Sequence, residues 1–171
     1  MLSGSEIEYL KSQRLARIAT VSRNGAPEVS PVAFEYHDGD FYVGSHDQSI
    51  FFKTQRYKNI TSGNTKVSLV IDDLASIDPW RPRGIKVNGT AEVLEHDGMF
   101  GKGSYIRITP RVTASWGIEP SKNGQFFSKK LHWQQKLNWC FSCVWSSSAA
   151  HTKPLNCYVI HHFPPSRNGF N

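Results

Sequence analysis

Lys53 is the residue whose type and position best suit the binding of an anion. The spacing of polar and apolar residues predicts a helix over Ser49–Thr61, ending near Gly63, and Lys53 falls in its first turns. A lysine there adds a point charge to free backbone N–H groups and the positive end of the helix dipole, which together suit a phosphate group. The alternative is that Lys53 is an ordinary solvent-exposed lysine of a helix.

Two arginines, Arg81 and Arg83, form a second candidate group. Pro79 and Pro82 lie beside them in a predicted loop, Asp78–Gly84, and stiffen the backbone. Two guanidinium groups held in this way suit planar recognition of a phosphate or a carboxylate. In the other interpretation they are loop charges that pair with neighbouring carboxylates, and the candidates are Asp72, Asp73 and Asp78.

A meander of short strands precedes the predicted helix. Two alternating runs, Ile18–Val21 and Val29–Phe34, flank Asn24-Gly25, which is a strong signal for a hairpin turn. A third strand, Asp40–Gly44, follows the turn at Asp38-Gly39. A strand meander that leads into a lysine-bearing helix can place a phosphate site at the rim of a barrel.

The remaining elements complete one domain. A capping-box pattern, Ser3-x-x-Glu6, predicts a short helix through about Ser12. Three further runs are apolar or alternate strictly, and we interpret them as the last three strands: Lys66–Ile71, Ile85–Val93 and Tyr105–Trp116. The sequence therefore predicts a mainly β protein, a six-stranded antiparallel split β-barrel with few helices.

Several of these segments together resemble a known superfamily over about residues 5 to 118. The chain resembles the flavin-binding split barrels of the pyridoxamine 5′-phosphate oxidase type, and within them the branch of deazaflavin (coenzyme F-420) dependent oxidoreductases. The segments that carry the resemblance are Arg17–Val21, Asn24–Pro27, Pro31–Phe34, the helix with Lys53, Val67–Val70, Asp72–Ser76, Asp78–Ile85, Ile106–Pro110 and Ser115–Gly117.

The resemblance implies a homodimer with two cofactors at its interface, and it implies which residues line each site. Backbone of the second strand would lie beside the ring, the turn after the third strand would lead toward the phosphate, and Lys53 would bind that phosphate with Thr54 beside it. Arg81 and Arg83 would suit the polyanionic tail of a deazaflavin, and His46 is a candidate for a proton donor near the ring. The other implied residues are Ser30, Pro31, Val32, Gly44 and Ser45.

The function implied is an oxidoreductase in which a reduced deazaflavin passes hydride to an electron-poor double bond of a small organic substrate. The cofactor would carry the difficult chemistry, and the protein would orient the reactants and exclude water. Two alternatives remain open. The same barrel could hold FMN as an oxidase or an electron carrier, or it could bind flavin or haem without catalysis.

The composition changes near Gly117. Residues 1–118 hold 14 basic and 13 acidic side chains, whereas residues 119–171 hold 6 basic and 1 acidic. All three cysteines (Cys140, Cys143 and Cys157) lie in this second part, and no helical or strand period persists there. We therefore expect a split-barrel domain over 1–118 and a poorly ordered extension over 119–171 that contributes nothing to the cofactor site.

Other classes of function find less support. The basic excess lies outside the predicted barrel, so nucleic acid is not an expected partner. No run approaches the roughly 18 apolar residues of a membrane span, and the N-terminus lacks the features of a secretory signal, so we expect a cytoplasmic protein. Cys140, Cys143 and Cys157 with His161 or His162 have permissive spacing for zinc, but the compact strand-turn pattern of such sites is missing, and we expect no metal.

Overall fold

The computed structural model of the chain describes residues 2–119 and 128–132. These residues form three short helices and eight strands, and every strand pairing is antiparallel. In chain order the elements are α1 (Gly4–Ser12), β1 (Leu15–Val21), β2 (Pro27–Ala33), β3 (Glu35–His37), β4 (Asp40–Val43), α2 (Gln48–Phe51), α3 (Gln55–Thr61), β5 (Lys66–Ser76), β6 (Arg81–Gly98), β7 (Gly101–Trp116) and β8 (Ser128–His132).

The strands form one sheet in the order β2-β1-β5-β6-β7-β4-β3, and β8 also pairs with β7. This arrangement confirms the predicted mainly β class and is a split barrel. The described sheet has two more strands than the six predicted. Strand β3 is a three-residue strand that forms the second predicted hairpin together with β4, and β8 lies beyond residue 118, where the composition gave no strand signal.

Both predicted hairpin turns are present. Gly25 has a φ of 84°, and Ser22 N–H donates to the carbonyl of Ala26 at 2.9 Å, which closes a three-residue loop between β1 and β2. Asp38 and Gly39 both have positive φ, at 51° and 95°, as a two-residue hairpin of the primed type requires.

The predicted loop Asp78–Gly84 is largely strand. Strand β5 continues to Ser76, and β6 begins at Arg81, so only four residues connect them. The two prolines predicted a loop here, and that prediction was wrong because Pro82 is tolerated inside β6. It lies opposite Leu74 and next to an irregularity in the ladder.

The predicted helix over Ser49–Thr61 is also interrupted. It consists of α2 and α3, and Lys53 lies in the link between them. Thr54 separates the two helices because its hydroxyl donates to the carbonyl of Phe51 at 2.7 Å and accepts from Tyr57 N–H at the start of α3.

The core lies between the sheet and the helices. It is built from alternate residues of the central strands with Phe41 and Phe51, and both of these are fully buried. Each large apolar side chain buried in this way contributes about 1.5–3 kcal/mol. The largest buried aliphatic residues are Ile18, Leu69, Ile71, Ile85, Ile106 and Ile108.

Helix α1 begins with the predicted capping box. Ser3 N–H donates to Glu6 Oε2 at 2.7 Å, and Glu6 N–H donates to Ser3 Oγ at 3.3 Å. Glu6 is fully buried and also accepts from the hydroxyl of Ser115 and from Lys129 Nζ, which lies 3.0 Å away on β8. The carboxylate therefore connects α1, β7 and β8. None of the helices within residues 2–119 and 128–132 is long and apolar enough to cross a membrane.

Candidate functional site

The candidate site lies where α3 packs on the hairpin of β1 and β2. The ladder places Ser30 opposite Ile18 and Glu28 opposite Thr20, so the side chains of these four residues share one face of the hairpin. On α3, the buried Asn59 donates through Nδ2 to Thr20 Oγ1 at 2.9 Å, and the Thr20 hydroxyl donates to Glu28 Oε2 at 3.3 Å. This polar chain fixes the position of the helix above the strands.

Arg56 is the charged residue that α3 places over this face. Its Nη1 lies 3.5 Å from Ser30 Oγ, and its Nε is buried with no hydrogen-bond partner in the described part of the chain. Burial lowers the pKa of the guanidinium, while the charge of Glu28 acts in the opposite direction. An arginine stays protonated under these conditions, so the hairpin face carries a half-buried cation with a free N–H donor. Such a group suits a phosphate or carboxylate.

The residues expected beside the cofactor ring lie on β2, next to Arg56. Ser30 is half-buried under the guanidinium, Pro31 is exposed, and Val32 points into the core, where 5% of its surface is exposed. A proline at an exposed position of β2 leaves the strand without one N–H donor. The structure therefore brings Ser30 together with a cation that the sequence prediction did not include.

The turn after β4 holds the next three predicted residues. Gly44 is buried, and a Cβ atom there would lie 2.3 Å from the ring of Tyr105, so the position requires glycine. Ser45 Oγ accepts from Asp47 N–H at 3.2 Å, which shapes the entry into α2. His46 is exposed, and its ring lies 4.1 Å from that of Phe100. No described contact joins His46 to Arg56 or Ser30.

Lys53 lies outside both helices, directly before Thr54, the N-cap residue of α3. Its backbone N–H donates to the carbonyl of Ile50 at 3.0 Å, and its exposed side chain acts on the Asp47 carboxylate, whose pKa is lowered mainly by hydrogen bonds from Ser49 and Ile50. Thr54 caps α3 with its side chain. The structure shows no described contact between Lys53 and β2, so its role as a phosphate ligand stays a prediction.

Arg83 has a carboxylate partner. Its Nε and Nη2 donate to the two carboxylate oxygens of Asp73 at 2.7 and 2.9 Å, and the guanidinium lies 5.2 Å from the ring centre of Tyr9. The hydrogen bond from Arg83 lowers the pKa of Asp73. This geometry matches the alternative in which the loop arginines pair with neighbouring acids. Arg81 is exposed at the start of β6.

Sequence reasoning did not include Arg56 among the candidate site residues. A usable signal was present in the alternating polar residues Thr20, Glu28 and Ser30, which a two-residue period assigns to one face of the hairpin. Asn59 lies three residues after Arg56 and so occupies the same side of a helix. The possible zinc ligands Cys140, Cys143, Cys157, His161 and His162 lie outside the described residues, as does most of the predicted extension.

The fold and the site define the class to which this chain belongs. The sequence profile of pyridoxamine 5′-phosphate oxidase matches residues 6–116, from helix α1 to the end of β7. The chain therefore belongs to the pyridoxamine 5′-phosphate oxidase family.

Comparison with individual proteins narrows this assignment. The chain is 33% identical over 120 residues to the 5a,11a-dehydrotetracycline/5a,11a-dehydrooxytetracycline reductase of Streptomyces rimosus, covering 67% of this chain and 82% of the reductase. A conserved hypothetical protein from Mycobacterium tuberculosis superposes with a TM-score of 0.55 at 22% identity, covering 70% of this chain and 87% of that one. A heme binding protein from Mycobacterium smegmatis gives a TM-score of 0.53 at 17% identity, covering 75% and 58%. The two superpositions show that these proteins share the fold. The similarity to the reductase supports the interpretation that this chain is an oxidoreductase.

Proposed function

We propose that this chain is a reductase that uses the reduced deazaflavin coenzyme F-420 to transfer hydride to an electron-poor double bond of a small organic substrate. The observation that carries the proposal is the half-buried guanidinium of Arg56, next to Ser30 on a split barrel of this family. The reductase relative adds support for the reaction, because its name describes the reduction of a dehydro compound.

The residues present fit a cofactor that ends its ribityl chain in a phosphate. Arg56 Nε is buried and lacks an acceptor within the described residues, and a phosphate oxygen would supply one. The Ser30 hydroxyl lies close enough to Arg56 to share the same phosphate. When bound, the reduced deazaflavin supplies the hydride.

The protein contributes position and exclusion of water. Thr20, Glu28 and Asn59 hold α3 on the hairpin, so Arg56 is fixed relative to the exposed backbone at Pro31. A cofactor anchored by its phosphate at Arg56 would lay its ring along β2, where a flat substrate could stack on it. Proximity of this kind lowers the barrier without a protein nucleophile. Proton delivery by His46 belongs to the same proposal.

We propose that a second copy of the chain forms a dimer with the first and covers the site. Strand β2 is at one end of the described sheet order, and Val29 on its outer face is 64% exposed, as is Leu15 on β1 at 62%. An apolar strand at a sheet edge favours association. Light scattering at micromolar concentration should give twice the chain mass of 19.3 kDa. A monomer that still binds cofactor tightly would contradict the shared site.

The choice between cofactors can be tested by direct binding and turnover. Purified protein is titrated with coenzyme F-420 and with FMN, and the reduced form of each is then mixed with a panel of conjugated enones and imines. The proposal expects tight binding of the deazaflavin and oxidation of its reduced form only when an acceptor is present. Tight binding of FMN with turnover would favour the FMN alternative, and binding of flavin or haem without turnover would favour a non-catalytic binder.

A further inference from the structure

Glu28 is an acidic residue on the strand face that carries the proposed phosphate contact. It lies two residues before Ser30 on β2, so the two side chains are on the same side of the strand, and both are half-buried. A carboxylate beside an anion site opposes binding of the anion. The proposed phosphate anchor at Arg56 therefore leaves the presence of Glu28 unexplained.

The structure holds Glu28 near Arg56 but does not pair the two residues. Glu28 Oε2 accepts from the Thr20 hydroxyl at 3.3 Å, and Thr20 Oγ1 accepts from Asn59 Nδ2 at 2.9 Å. Among the described residues, the ion pairs include neither Glu28 nor Arg56. The two charges still interact, because burial lowers the pKa of the Arg56 guanidinium and the charge of Glu28 acts against this effect. The carboxylate is therefore a fixed negative charge close to the cation and not in contact with it.

Glu28 lies close enough to the proposed anchor for its charge to act on a bound phosphate. A strand rises about 3.3 Å per residue, which places Glu28 and Ser30 about 6–7 Å apart along β2. Repulsion between two unit charges at this distance, in a half-buried setting, weakens binding by roughly 3- to 10-fold. The repulsion is proportional to the charge of the ligand, so a dianion loses the square of this factor, about 10- to 100-fold.

We propose that Glu28 is a specificity-determining residue, whose charge shifts the preference of the site from phosphate monoesters towards phosphate diesters. A diester carries one negative charge, whereas a monoester carries close to two at neutral pH, because its second pKa is about 6. Arg56 alone attracts the dianion more strongly, and Glu28 removes part of that advantage. This inference rests on the proposed function, because it places the phosphate at Arg56. A cofactor whose chain continues beyond its phosphate presents the diester, and FMN presents the monoester.

Glu28 also has a structural contact, which can be separated from its charge by the choice of variants. An amide oxygen accepts the hydrogen bond from Thr20 as a carboxylate oxygen does. Glu28→Gln therefore keeps this contact and removes the charge, whereas Glu28→Asp keeps the charge on a shorter side chain. Glu8→Gln is the matched control, since Glu8 is an exposed residue of α1 and its replacement changes the net charge of the chain by the same amount.

The test measures dissociation constants by fluorescence titration for wild type and these three variants of the full chain. The ligands are three forms of one deazaflavin riboside: without phosphate, with a terminal phosphate monoester, and with the methyl ester of that phosphate, which is a diester. The buffer is at pH 8 and low ionic strength, where the monoester is a dianion and charges are weakly screened. Thermal melts confirm that all four proteins are folded.

We expect Glu28→Gln to bind the diester roughly 3- to 10-fold and the monoester about 10- to 100-fold more tightly than wild type does. Glu28→Asp and Glu8→Gln should resemble wild type, and the affinity for the riboside without phosphate should be the same in all four proteins.

An equal gain for both phosphorylated ligands in Glu28→Gln, or no gain, would overturn the role of Glu28 and leave the cofactor assignment standing. The same conclusion would follow if Glu28→Asp behaved like Glu28→Gln, because the charge would then not be the cause. Failure of wild type to bind any of the three deazaflavins would instead refute the proposed function, and the role of Glu28 with it.

Discussion

Two regions of this molecule treat their buried charges in opposite ways. Around α1, β5, β6, β7 and β8, each buried or half-buried charge has a partner within the described residues. Lys129 and Ser115 contact Glu6, and Arg83 donates to both carboxylate oxygens of Asp73. Around the hairpin of β1 and β2, Arg56 is half-buried and its Nε has no acceptor in the described residues.

The charges in the first region stabilise the fold, whereas the charge of Arg56 in the second region is available to a ligand. A desolvated donor without a partner is unfavourable, and native proteins contain few of them. Where one persists beside a polar strand face, an external acceptor is the simplest explanation. The comparison can be tested by removing charges from both regions, and the expected effects differ in size and in kind.

The largest effect on stability is expected for Lys129→Ala. Removing one partner of a buried ion pair is strongly destabilising, and Glu6 keeps only Ser3 and Ser115 in this variant. We expect the free energy of unfolding to fall by about 2–4 kcal/mol, measured by urea denaturation at pH 7. The matched control is Lys130→Ala, an exposed neighbour on β8, which should change stability by less than about 0.5 kcal/mol.

The Lys129→Ala variant should also change the pH at which the protein unfolds in acid. Burial acts to raise the pKa of Glu6, but hydrogen bonds from Ser115, Ser3 and Lys129 outweigh it, and the pKa lies below its usual value of 4.5. A lowered pKa stabilises the fold above about pH 4.5, and this stabilisation is lost as the pH falls through the lowered value. Without Lys129 the pKa should rise, so the acid midpoint should move to higher pH. An unchanged midpoint would show that Lys129 does not stabilise the carboxylate.

A smaller loss is expected for Arg83→Gln. The pair with Asp73 is bidentate but partly exposed, with 36% and 29% of the two side chains accessible, so the loss should be about 1 kcal/mol. Chemical denaturation measures it, and Arg81→Gln, two residues earlier and exposed, is the control. Cofactor affinity should not change in Arg83→Gln. A weakened affinity would instead support Arg83 as a cofactor ligand, as the resemblance implies.

The smallest effect on stability is expected for Arg56→Gln. Loss of the 3.5 Å contact with Ser30 is offset by relief from burying a charge, so the free energy of unfolding should stay within about 0.5 kcal/mol of wild type. Lys58→Gln on the same helix is the control for removal of a charge from α3. A loss above about 1.5 kcal/mol would mean that Arg56 is a structural residue like Arg83.

The sequence was sufficient to predict the fold class because the strands here are specified locally. Positive φ at Gly25, Asp38 and Gly39 fixes two hairpins through residues that tolerate it, and alternation marks the strands on either side. Strand β8 could not be predicted in this way. It pairs at the edge of β7 through its backbone, and its sequence, Ser-Lys-Lys-Leu-His, has no apolar alternation. The boundary at residue 118 stays a prediction for the rest of the extension.

The site was predicted less well because it depends on how elements pack. The helix prediction was correct in place but not in its break at Thr54, and that break moves Lys53 out of the first turn of a helix and makes Arg56 the cation above β2. The helical period alone does not show which face of α3 packs on the hairpin. The contact between Asn59 and Thr20 determines that face, and it joins residues that are 39 positions apart in sequence.

The most direct measurement of the central claim compares two pairs of ligands, each with and without a phosphate, across wild type and two variants. Wild type, Arg56→Gln and Lys53→Gln are titrated with FMN and with riboflavin, which lacks the phosphate, and with the deazaflavin and its own form without phosphate. If Arg56 anchors the phosphate, Arg56→Gln should weaken binding of the phosphorylated ligands by about 1.5–3 kcal/mol, roughly 10- to 150-fold, and leave the others unchanged. An equal loss for ligands with and without phosphate, or a loss seen only in Lys53→Gln, would contradict it.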